Sequence, residues 1–449
     1  MRCSLGWSVG SGERGGASGS SKRSAAPSRR RCNDTLPHCC SSGLQEFPAR
    51  RCNLRPARPR RGTLDRGGHR MNALKTARAG ARMIFNHPDL VRWYFRNKVR
   101  VSSLPREQRA GDGLSRYPLG ITFKPTLSCN LRCRMCSFVA NGAVFTNPKD
   151  SLPLEAWTSV VDDVKRWKPY VWFTGGEPTL YPHFTPLVHY IKQQGMMAGV
   201  TTNGTTLKRK AEEILESPMD MMVVSIDGKG AIHNQVRGHE RAYERTIEGV
   251  LHLQELKRRK GLRRPAVIIN CALTPDNYEH ATDMVGIAEM VGAEALNFQH
   301  LWQLTARMVE SHNARWGGEH HVSYDDCGGM EPAPMDVERV IRVVHEVKSQ
   351  PARIPVLFHP EIPDDEIRIY YNEPERFVHR RPAACAWLNT DILPNGDVSP
   401  CFDVVCGNIL RERFTEIWNN FAFRRHRQRL SEEGDFPICA RCCAYWRRD

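Results

Sequence analysis

The segment Thr126-Leu-Ser-Cys129-Asn-Leu-Arg-Cys133-Arg-Met-Cys136-Ser-Phe138 places three cysteines in a Cys-x₃-Cys-x₂-Cys pattern. A short apolar run from Ile121 to Pro125 precedes it and predicts a strand that leads into a loop carrying the three thiols. A closed structural zinc site takes four ligands, and a stable iron–sulfur cube normally takes four as well. Three thiolates therefore favour a cluster with one open iron, whereas a zinc site would need a fourth ligand from a distant part of the chain.

The composition is typical of a globular protein, with 40% apolar and 25% charged residues in a chain of 449. This length allows two or three domains. No apolar run approaches the roughly 18 residues of a membrane-spanning helix. The first residues also lack the apolar core and small-residue cleavage site of a secretory signal.

The basic tail of residues 1–70 supplies most of the formal net charge of +16, because it holds 15 Arg and Lys against 4 Asp and Glu. It is rich in Arg, Gly, Ser and Pro and has no apolar periodicity, so it cannot bury enough surface to offset its ordering entropy. Two interpretations remain: a disordered arm that contacts anionic partners, or sequence upstream of a true start at Met71, which we favour. The tail alone does not support nucleic-acid binding.

Residues 71–117 form an N-terminal segment in which a basic amphipathic helix is predicted from Met71 to about Arg100. Such a helix can lie on an anionic membrane surface as a peripheral contact. More often it packs its apolar stripe on the neighbouring domain. We favour packing, because one segment without a lipid anchor binds membranes weakly.

Strand and helix patterns alternate from residue 118 to about residue 300. Strands separated by crossover helices pair in parallel with right-handed connections. The sequence therefore predicts an α/β fold with a partial (β/α)₆ TIM-like barrel, whose six strands are Ile121–Pro125, Tyr170–Thr174, Met197–Thr202, Met221–Ile226, Val267–Ala272 and Ala295–Gln299.

Polar and glycine-rich motifs follow several of these strands, and functional groups of a parallel α/β barrel collect at the C-terminal strand ends. The second strand leads into Gly175-Gly176-Glu177, where two glycines permit a close backbone approach and Glu177 adds a carboxylate. The third strand leads into Asn203, and the fourth ends at Ser225. A further motif, His233-Asn-Gln-Val-Arg237-Gly238, lies downstream.

The order of these motifs resembles that of the radical S-adenosylmethionine (radical SAM) enzymes. The resemblance implies a 4Fe–4S cluster on Cys129, Cys133 and Cys136 whose open iron binds SAM. It also implies that the residues around the SAM molecule are Gly175, Gly176, Glu177, Asn203, Ser225 and Arg237. Among these, Glu177 would grip the SAM amino group, Ser225 would contact the ribose, and Arg237 would reach the carboxylate unless it is solvated.

Other polar residues allow two interpretations each. Asn270, Gln299 and His300 would either face the substrate volume or be hydrogen-bonded core groups. Residues 301–382 form an insertion loop and a linking helix. The part from 301 to 334 is interpreted as a mobile loop that covers the substrate rather than as a metal site, although it contains His312, His320, His321, Asp325, Asp326 and Cys327.

A second cysteine set lies in residues 383–449, with Cys385 and Cys401 flanking a predicted hairpin and Cys439 and Cys442 on a later turn. Spacing alone leaves a four-ligand zinc site open. The region resembles the SPASM/twitch extension of radical SAM enzymes, which implies an auxiliary iron–sulfur domain. We expect one fully ligated auxiliary 4Fe–4S cluster that transfers electrons, with Cys406 and Cys443 as the alternative ligands.

The expected function is that of a radical SAM enzyme, which cleaves SAM to a 5′-deoxyadenosyl radical and abstracts hydrogen from a substrate carbon. An electron donor such as flavodoxin or ferredoxin is implied, and iron-bound thiolates predict a reducing, cytoplasmic setting. A small-molecule or lipid-linked substrate, or a ribosomal peptide or protein side chain as in a peptide maturase, remains open. The rival from another class is a non-catalytic, zinc-stabilised binding protein.

Overall fold

The structure is a computed structural model that describes residues 88–140, 142, 151–302, 304–324, 329, 331, 334–378, 383–401 and 403–442. All of them belong to one compact unit, Asp65–Asp449. The predicted tail 1–70, the first part of the predicted basic helix, and Cys443 lie outside the described residues, as do the loop residues Asp325, Asp326 and Cys327.

One sheet organises the described chain, with the strand order β10-β9-β8-β1-β2-β3-β4-β5-β6-β7. Strands β8 and β1 to β7 run parallel, and β9 and β10 add an antiparallel edge. The strands are β1 (Gly120–Phe123), β2 (Tyr170–Phe173), β3 (Met197–Thr202), β4 (Met221–Ser225), β5 (Ala266–Leu273), β6 (Ala295–His300), β7 (Val356–His359), β8 (Asn389–Ile392), β9 (Asp397–Ser399) and β10 (Gly407–Asn408).

The six predicted barrel strands are all present and shifted by at most two residues at an end. The sheet is nevertheless longer than the predicted six, because β7 extends it on one side and β8 on the other. Strand β7 escaped detection because it has four residues of which only Phe358 is buried. Strand β8 belongs to the C-terminal cysteine region, so its pairing with β1 is a long-range contact that local periodicity does not encode.

Helices fill the connections and cover one face of the sheet. In the helix Leu154–Val164, for example, the residues at helical spacing are buried, namely Trp157, Val160, Val161 and Val164. Trp157 packs on Phe123 of β1 with ring centroids 4.8 Å apart. The helices are α1 (Pro88–Ala110), α2 (Ser137–Ala140), α3 (Leu154–Val164), α4 (Phe184–Gln193), α5 (Leu207–Glu216), α6 (Ala231–Arg237), α7 (Ala242–Arg259), α8 (Asp283–Met290), α9 (Ala306–Trp316), α10 (Val337–Ser349), α11 (Asp364–Asn372), α12 (Cys385–Leu388), α13 (Phe414–Ile417) and α14 (Phe421–Glu433).

The opposite, concave face of the sheet carries its side chains in rows, because alternate residues of each strand point to the same side. The strand register defines three such rows. From the N-terminal to the C-terminal strand ends, their members are Thr122, Trp172, Gly199 and Met221, then Thr201, Val223 and Ile268, then Ser225, Asn270 and Asn297.

Helix α1 is fixed to the C-terminal region through Arg100, whose side chain is 1% exposed. Its guanidinium pairs with Glu107 at 2.9 Å and donates hydrogen bonds to the Trp387 carbonyl and the Ser115 hydroxyl. The helix is thus the packed element that we favoured over a membrane contact. Over the described residues, no helix combines the length and apolarity needed to cross a bilayer.

Replacing Arg100 with Ala should lower the free energy of unfolding by about 3 kcal/mol, because it removes one partner of a buried ion pair and orphans buried acceptors. Arg109→Ala is the matched control, since that exposed arginine of α1 bonds the carbonyl of Pro105 in its own helix. The control should change the value by less than about 0.5 kcal/mol. Urea unfolding of both variants checks this, and equal effects would contradict it.

Candidate active site

The three cysteines lie on the loop between β1 and α2, with Cys133 buried and Cys129 and Cys136 partly exposed. Burial, above all, raises the pKa of Cys129 to about 11 and also raises that of Cys133. As isolated thiols both would stay protonated, whereas a bound metal stabilises the thiolate. Among the described residues, no group of His, Cys, Asp or Glu converges as ligands of a single metal ion. In a 4Fe–4S cube each thiolate binds a different iron, so a cluster does not require such convergence.

The Gly175-Gly176 turn after β2 packs directly on the cysteine loop. The amides of Gly176 and Glu177 donate to the carbonyls of Thr126 and Ser128 at 3.0 and 2.8 Å. A Cβ at position 176 would lie 2.3 Å from the Ser128 oxygen, and Gly175 has a φ of +120°. The sequence predicts that these glycines let the backbone approach a ligand. The structure shows that they also let the backbone approach the cysteine loop.

The C-terminal end of α6 supports the other side of the cysteine loop. The amide of Arg134 donates to the carbonyl of Val236 at 2.9 Å. Gly238 follows the helix in a left-handed conformation with φ +62°, and a Cβ there would lie 2.1 Å from the carbonyl oxygen of Arg132. Only glycine satisfies both the conformation and the contact. The loop is therefore held between two backbone segments.

Glu177 is 1% exposed, and its carboxylate accepts four hydrogen bonds. The donors are the Thr179 amide and hydroxyl, the Thr202 hydroxyl and the Asn203 amide, at 2.6 to 3.1 Å. Burial raises the pKa of Glu177, and the four donors counteract that shift. Three donors share Oε1, so Oε2 bonds the Asn203 amide and keeps room for one further donor, as a ligand ammonium would supply.

Asn203 ties the loop after β3 to the cysteine loop. Its side-chain amide donates to the Asn130 oxygen at 2.9 Å and lies 3.9 Å from the Cys129 sulfur. Its backbone carbonyl accepts from the Thr246 hydroxyl at 2.8 Å. These contacts orient Asn203 as part of the cavity wall, which is the position that the sequence predicted for it.

Arg237 is directed at the cluster loop. Its Nη1 lies 3.7 Å from the Cys133 sulfur, and its Nε pairs at 2.5 Å with Asp227, which is fully buried. Burial opposes the charge of Arg237, but Asp227 and Cys133 outweigh it and raise the pKa of the guanidinium. Asp227 is fixed in turn, since its carboxylate accepts from the Ala272 amide and its own amide donates to His233 Nδ1. Arg237 is therefore a buried, paired cation and not a solvated helix-start residue.

One cavity of about 240 Å³ at the C-terminal strand ends brings the predicted site together. Its lining includes all three loop cysteines and every residue predicted to surround SAM, namely Cys129, Cys133, Cys136, Gly175, Gly176, Glu177, Asn203, Ser225 and Arg237. Met135 and Phe138 add apolar surface.

Beside this cavity, the row nearest the strand ends carries amide side chains. Asn297 donates to the Asn270 oxygen at 2.6 Å, and Gln299 follows on the same face of β6. Asn297 was not singled out from the sequence. The alternation of apolar and polar residues along β6 is the sequence signal that would have indicated it.

Of the two interpretations of His300, the structure favours the hydrogen-bonded core group over a residue that faces the substrate volume. His300 is 2% exposed on the opposite face of β6, where its Nδ1 lies 2.7 Å from the Tyr371 hydroxyl. Burial lowers the pKa of His300 to about 3, so the ring is neutral. It is the hydrogen-bonded core group of the second interpretation.

The segment 301–334, which was predicted to be a mobile loop that covers the substrate, is not a loop throughout, because it contains helix α9. His312 and His320 are buried, with His312 Nε2 2.9 Å from the His320 carbonyl oxygen. Their rings lie 5.3 and 5.5 Å from that of Phe436, beside the C-terminal cysteines. His321 is exposed. This part of the segment packs on the C-terminal region.

The C-terminal cysteines lie on short, tightly turned elements. Cys385 begins α12, Cys401 forms a bridge with Val404, and Cys439 and Cys442 share one turn. Burial, and next the neighbouring thiols of Cys385 and Cys442, raises the pKa of Cys439 well above its ordinary value. Buried thiols that disfavour each other's ionisation fit a cluster that compensates the charge. No disulfide joins the described cysteines.

Cys406 has different surroundings. It is 4% exposed in the apolar core, and burial raises its pKa to about 12 against the opposing effect of Arg427. Among the cysteines that the structure describes, none contributes to that shift. This separates Cys406 from the thiols around Cys439 and disfavours it as a ligand.

Comparison with protein families assigns both regions. Residues 123–286 match the radical SAM superfamily, and residues 385–443 match SPASM, an iron–sulfur cluster-binding domain. The chain contains a radical SAM domain followed by a SPASM domain. These domains imply a 4Fe–4S cluster, SAM and auxiliary iron–sulfur binding, which confirms the predicted cofactors.

The relatives of this radical SAM–SPASM chain include enzymes. A tungsten-containing aldehyde ferredoxin oxidoreductase cofactor-modifying protein of Pyrococcus furiosus is 28% identical over 49% of this chain and 58% of its own length. An AdoMet-dependent heme synthase of Methanosarcina barkeri is 25% identical over 73% of this chain and 89% of its own. Streptococcus suis SuiB bound to S-adenosylmethionine has a similar fold, with a TM-score of 0.52 and 16% identity over 74% of this chain and 71% of SuiB.

Gly176→Ala should displace the cysteine loop and lower the iron bound at it, because the new Cβ would meet the Ser128 and Leu127 oxygens at 2.3 and 2.5 Å. Gly286→Ala is the matched control, since no described atom outside its own stretch of α8 lies within 4 Å of its Cβ position. We expect iron analysis after anaerobic reconstitution to give roughly four irons per chain for Gly176→Ala, against roughly eight for Gly286→Ala and the parent with two cubes. Full iron content in Gly176→Ala would refute the role of this packing.

Cys439→Ala should likewise remove one cube and leave roughly four irons per chain, because it deletes a proposed auxiliary ligand. Cys406→Ala, which also truncates a buried cysteine of the same region, should retain roughly eight. Iron and sulfide analysis distinguishes the two variants. The opposite result would make Cys406 a ligand, and stoichiometric zinc in colourless parent protein would support the zinc-stabilised rival.

Proposed function

We propose that this chain is a radical SAM enzyme that cleaves SAM reductively and abstracts hydrogen from a carbon of its substrate. The observation that carries the proposal is the cavity in which three cysteines, a buried carboxylate and a buried arginine meet at the C-terminal strand ends. When bound, the cluster would supply the electron that cleaves the SAM sulfonium into methionine and a 5′-deoxyadenosyl radical.

The chain's own residues would bind and orient the reactants. Cys129, Cys133 and Cys136 would hold the cluster, and Glu177 would accept a hydrogen bond from the SAM ammonium. Ser225 would contact the ribose, as its place in the cavity wall allows. Arg237 already contacts Cys133 and Asp227, so we propose that its main role is to stabilise the cysteine loop and the Cys133 thiolate. A contact with the SAM carboxylate would use those N–H groups of the guanidinium that these two contacts leave free.

Cys385, Cys401, Cys439 and Cys442 would hold one auxiliary cluster with no open iron, whose role would be to accept or deliver an electron. Flavodoxin or ferredoxin would supply the reducing equivalents in the cell. The reaction therefore belongs in a reducing, cytoplasmic compartment.

A small molecule is the substrate class that we favour. The match to a heme synthase extends over most of both chains. The side-chain amides of Asn270, Asn297 and Gln299 would offer neutral hydrogen bonds to a polar small molecule beside the SAM cavity. SuiB has been solved with its precursor peptide SuiA, but at 16% identity it informs the fold and not the substrate. A peptide or lipid-linked substrate would appear as an alternative outcome of substrate trials.

The direct test is anaerobic reconstitution followed by addition of SAM and dithionite. Methionine and 5′-deoxyadenosine should form in equal amounts in the parent and should be absent in Cys133→Ala. Lack of 5′-deoxyadenosine from protein that retains its iron would exclude the proposed reaction.

Glu177→Gln should raise the Kd for SAM about tenfold to a hundredfold, because a hydrogen bond to a charged group contributes about 1.5–3 kcal/mol. Glu155→Gln, an exposed glutamate in the first turn of α3, is the control and should bind SAM like the parent. Equilibrium dialysis on reconstituted protein measures both values. Equal affinity in the two variants would rule out Glu177 as the ammonium acceptor.

A further inference from the structure

Arg441 lies between two of the proposed auxiliary ligands, in the sequence Cys439-Ala-Arg441-Cys442. It is fully buried, with 0% of its surface exposed. A guanidinium keeps its charge in proteins, and burying a charge is expensive unless strong hydrogen bonds compensate it. The contacts of Arg441 must therefore offset a large desolvation cost.

The guanidinium has five N–H groups, and each of them has a backbone carbonyl as its acceptor. Nε makes one of these hydrogen bonds, and Nη1 and Nη2 make two each. The distances are 2.8 to 3.0 Å, and the acceptors are the carbonyls of Ile369, Tyr370, Glu373, Arg376 and Ala440. The guanidinium also lies over the Tyr370 ring, 4.5 Å from its centroid.

Four of the five acceptors belong to the C-terminal end of α11 and the residues that follow it. Ile369 and Tyr370 lie in the last turn of this helix, and Glu373 comes directly after it. The last carbonyls of a helix have no partner within the helix, and they carry partial negative charge. The helix end thus supplies both the acceptors and the negative potential that a buried cation requires.

The fifth acceptor ties the guanidinium to its own turn, because it is the carbonyl of the preceding residue, Ala440. The same turn is closed by the amide of Cys442, which donates to the carbonyl of Cys439 at 3.1 Å. A turn this short has no strand ladder to define its position. Arg441 therefore provides a polar anchor within the segment that carries both thiols.

Helix α11 is itself fixed to the barrel. The Tyr370 hydroxyl donates to the carbonyl of Leu301 at 3.1 Å, and the Tyr371 hydroxyl lies 2.7 Å from His300 Nδ1. His300 is the last residue of β6, the strand whose opposite face carries two of the amides proposed to meet the substrate. The contacts therefore run from the cysteine-bearing turn through α11 to the substrate-facing strand.

We propose that Arg441 is the positioning residue of the auxiliary iron–sulfur site. Its guanidinium fixes the turn of Cys439 and Cys442 to the end of α11 and, through α11, to the end of β6. Loss of these hydrogen bonds frees the turn and weakens binding of the auxiliary cube, whereas the cysteine loop after β1 keeps its own anchors. The proposal rests on the proposed function, which assigns Cys439 and Cys442 as ligands.

Lysine separates the charge of this residue from its geometry. An ammonium group keeps the positive charge at the helix end, but it has three donors on one nitrogen and cannot reach acceptors spread around a planar fork. Arg441→Lys should therefore release the turn as Arg441→Ala does, although it changes the side-chain volume far less.

The experiment uses the full-length protein after anaerobic reconstitution and combines iron and sulfide analysis with EPR of the reduced clusters. Both Arg441 variants should hold roughly four irons per chain, against roughly eight in the parent. The EPR signal that remains should change when SAM is added, because only a cluster with an open iron can bind SAM. This response identifies the auxiliary cube as the one that is lost.

Lys257→Met is the matched control, since Lys257 is also a buried cation that donates to a backbone carbonyl, that of Pro265 at 2.6 Å in the barrel. The control should unfold at lower urea concentration than the parent and still hold roughly eight irons, with both EPR signals present. It separates a general loss of stability from the release of the auxiliary turn.

Roughly eight irons in both Arg441 variants would overturn the proposal. Full iron content in Arg441→Lys alone would overturn the role of the five hydrogen bonds, because the charge would then suffice. A remaining signal that ignores SAM in the variants but not in the parent would place the loss in the wrong cluster. A parent whose signals all ignore SAM would contradict the proposed function, and the iron counts would still decide the role of Arg441.

Discussion

Close backbone packing around the cysteine loop is the constraint on which the site depends. On one side, the amides of Gly176 and Glu177 donate to two carbonyls of the loop. On the other side, Gly238 packs against the carbonyl of Arg132, which is possible because glycine has no Cβ. A loop with three thiols has little regular structure of its own, so neighbouring strands must define its shape. The same contacts place Glu177 in the cavity wall, because its amide is one of the anchors. Thiol geometry and ligand recognition therefore depend on one set of hydrogen bonds.

The barrel interior changes character along its axis. Near the strand starts it presents rings and aliphatic groups, with Tyr170 and Trp172 as the largest. Near the strand ends it presents hydroxyls and amides, among them Ser225, Asn270 and Asn297. Because the parallel strands all end on the same side, their register brings these polar residues together at that end. It separates a polar reaction volume from an apolar one within a single sheet.

Much of this could be predicted from the sequence, and the limits have physical causes. The six barrel strands and the motifs after them are local patterns, and the cavity gathers the predicted residues because parallel strands end together. The closest neighbour of Gly176 could not be predicted, since a glycine signals a close approach without identifying its partner. The two interpretations of His300 could not be separated from the sequence, because the side chains of a strand alternate between its two faces and a shift of one residue reverses the assignment.

Strand β8 belongs to the SPASM region, yet it pairs in parallel with β1 from Gly120 to Phe123. Strand β1 is also the strand that runs into the first cysteine loop. The two iron–sulfur regions are therefore not modules joined by a tether, since the second completes the hydrogen bonding of the first. A chain truncated before β8 would expose the unpaired backbone N–H and C=O groups of β1 at a sheet edge. Such an edge can pair with other chains and cause aggregation. The C-terminal region therefore has a structural role in the sheet, separate from any role of its cysteines.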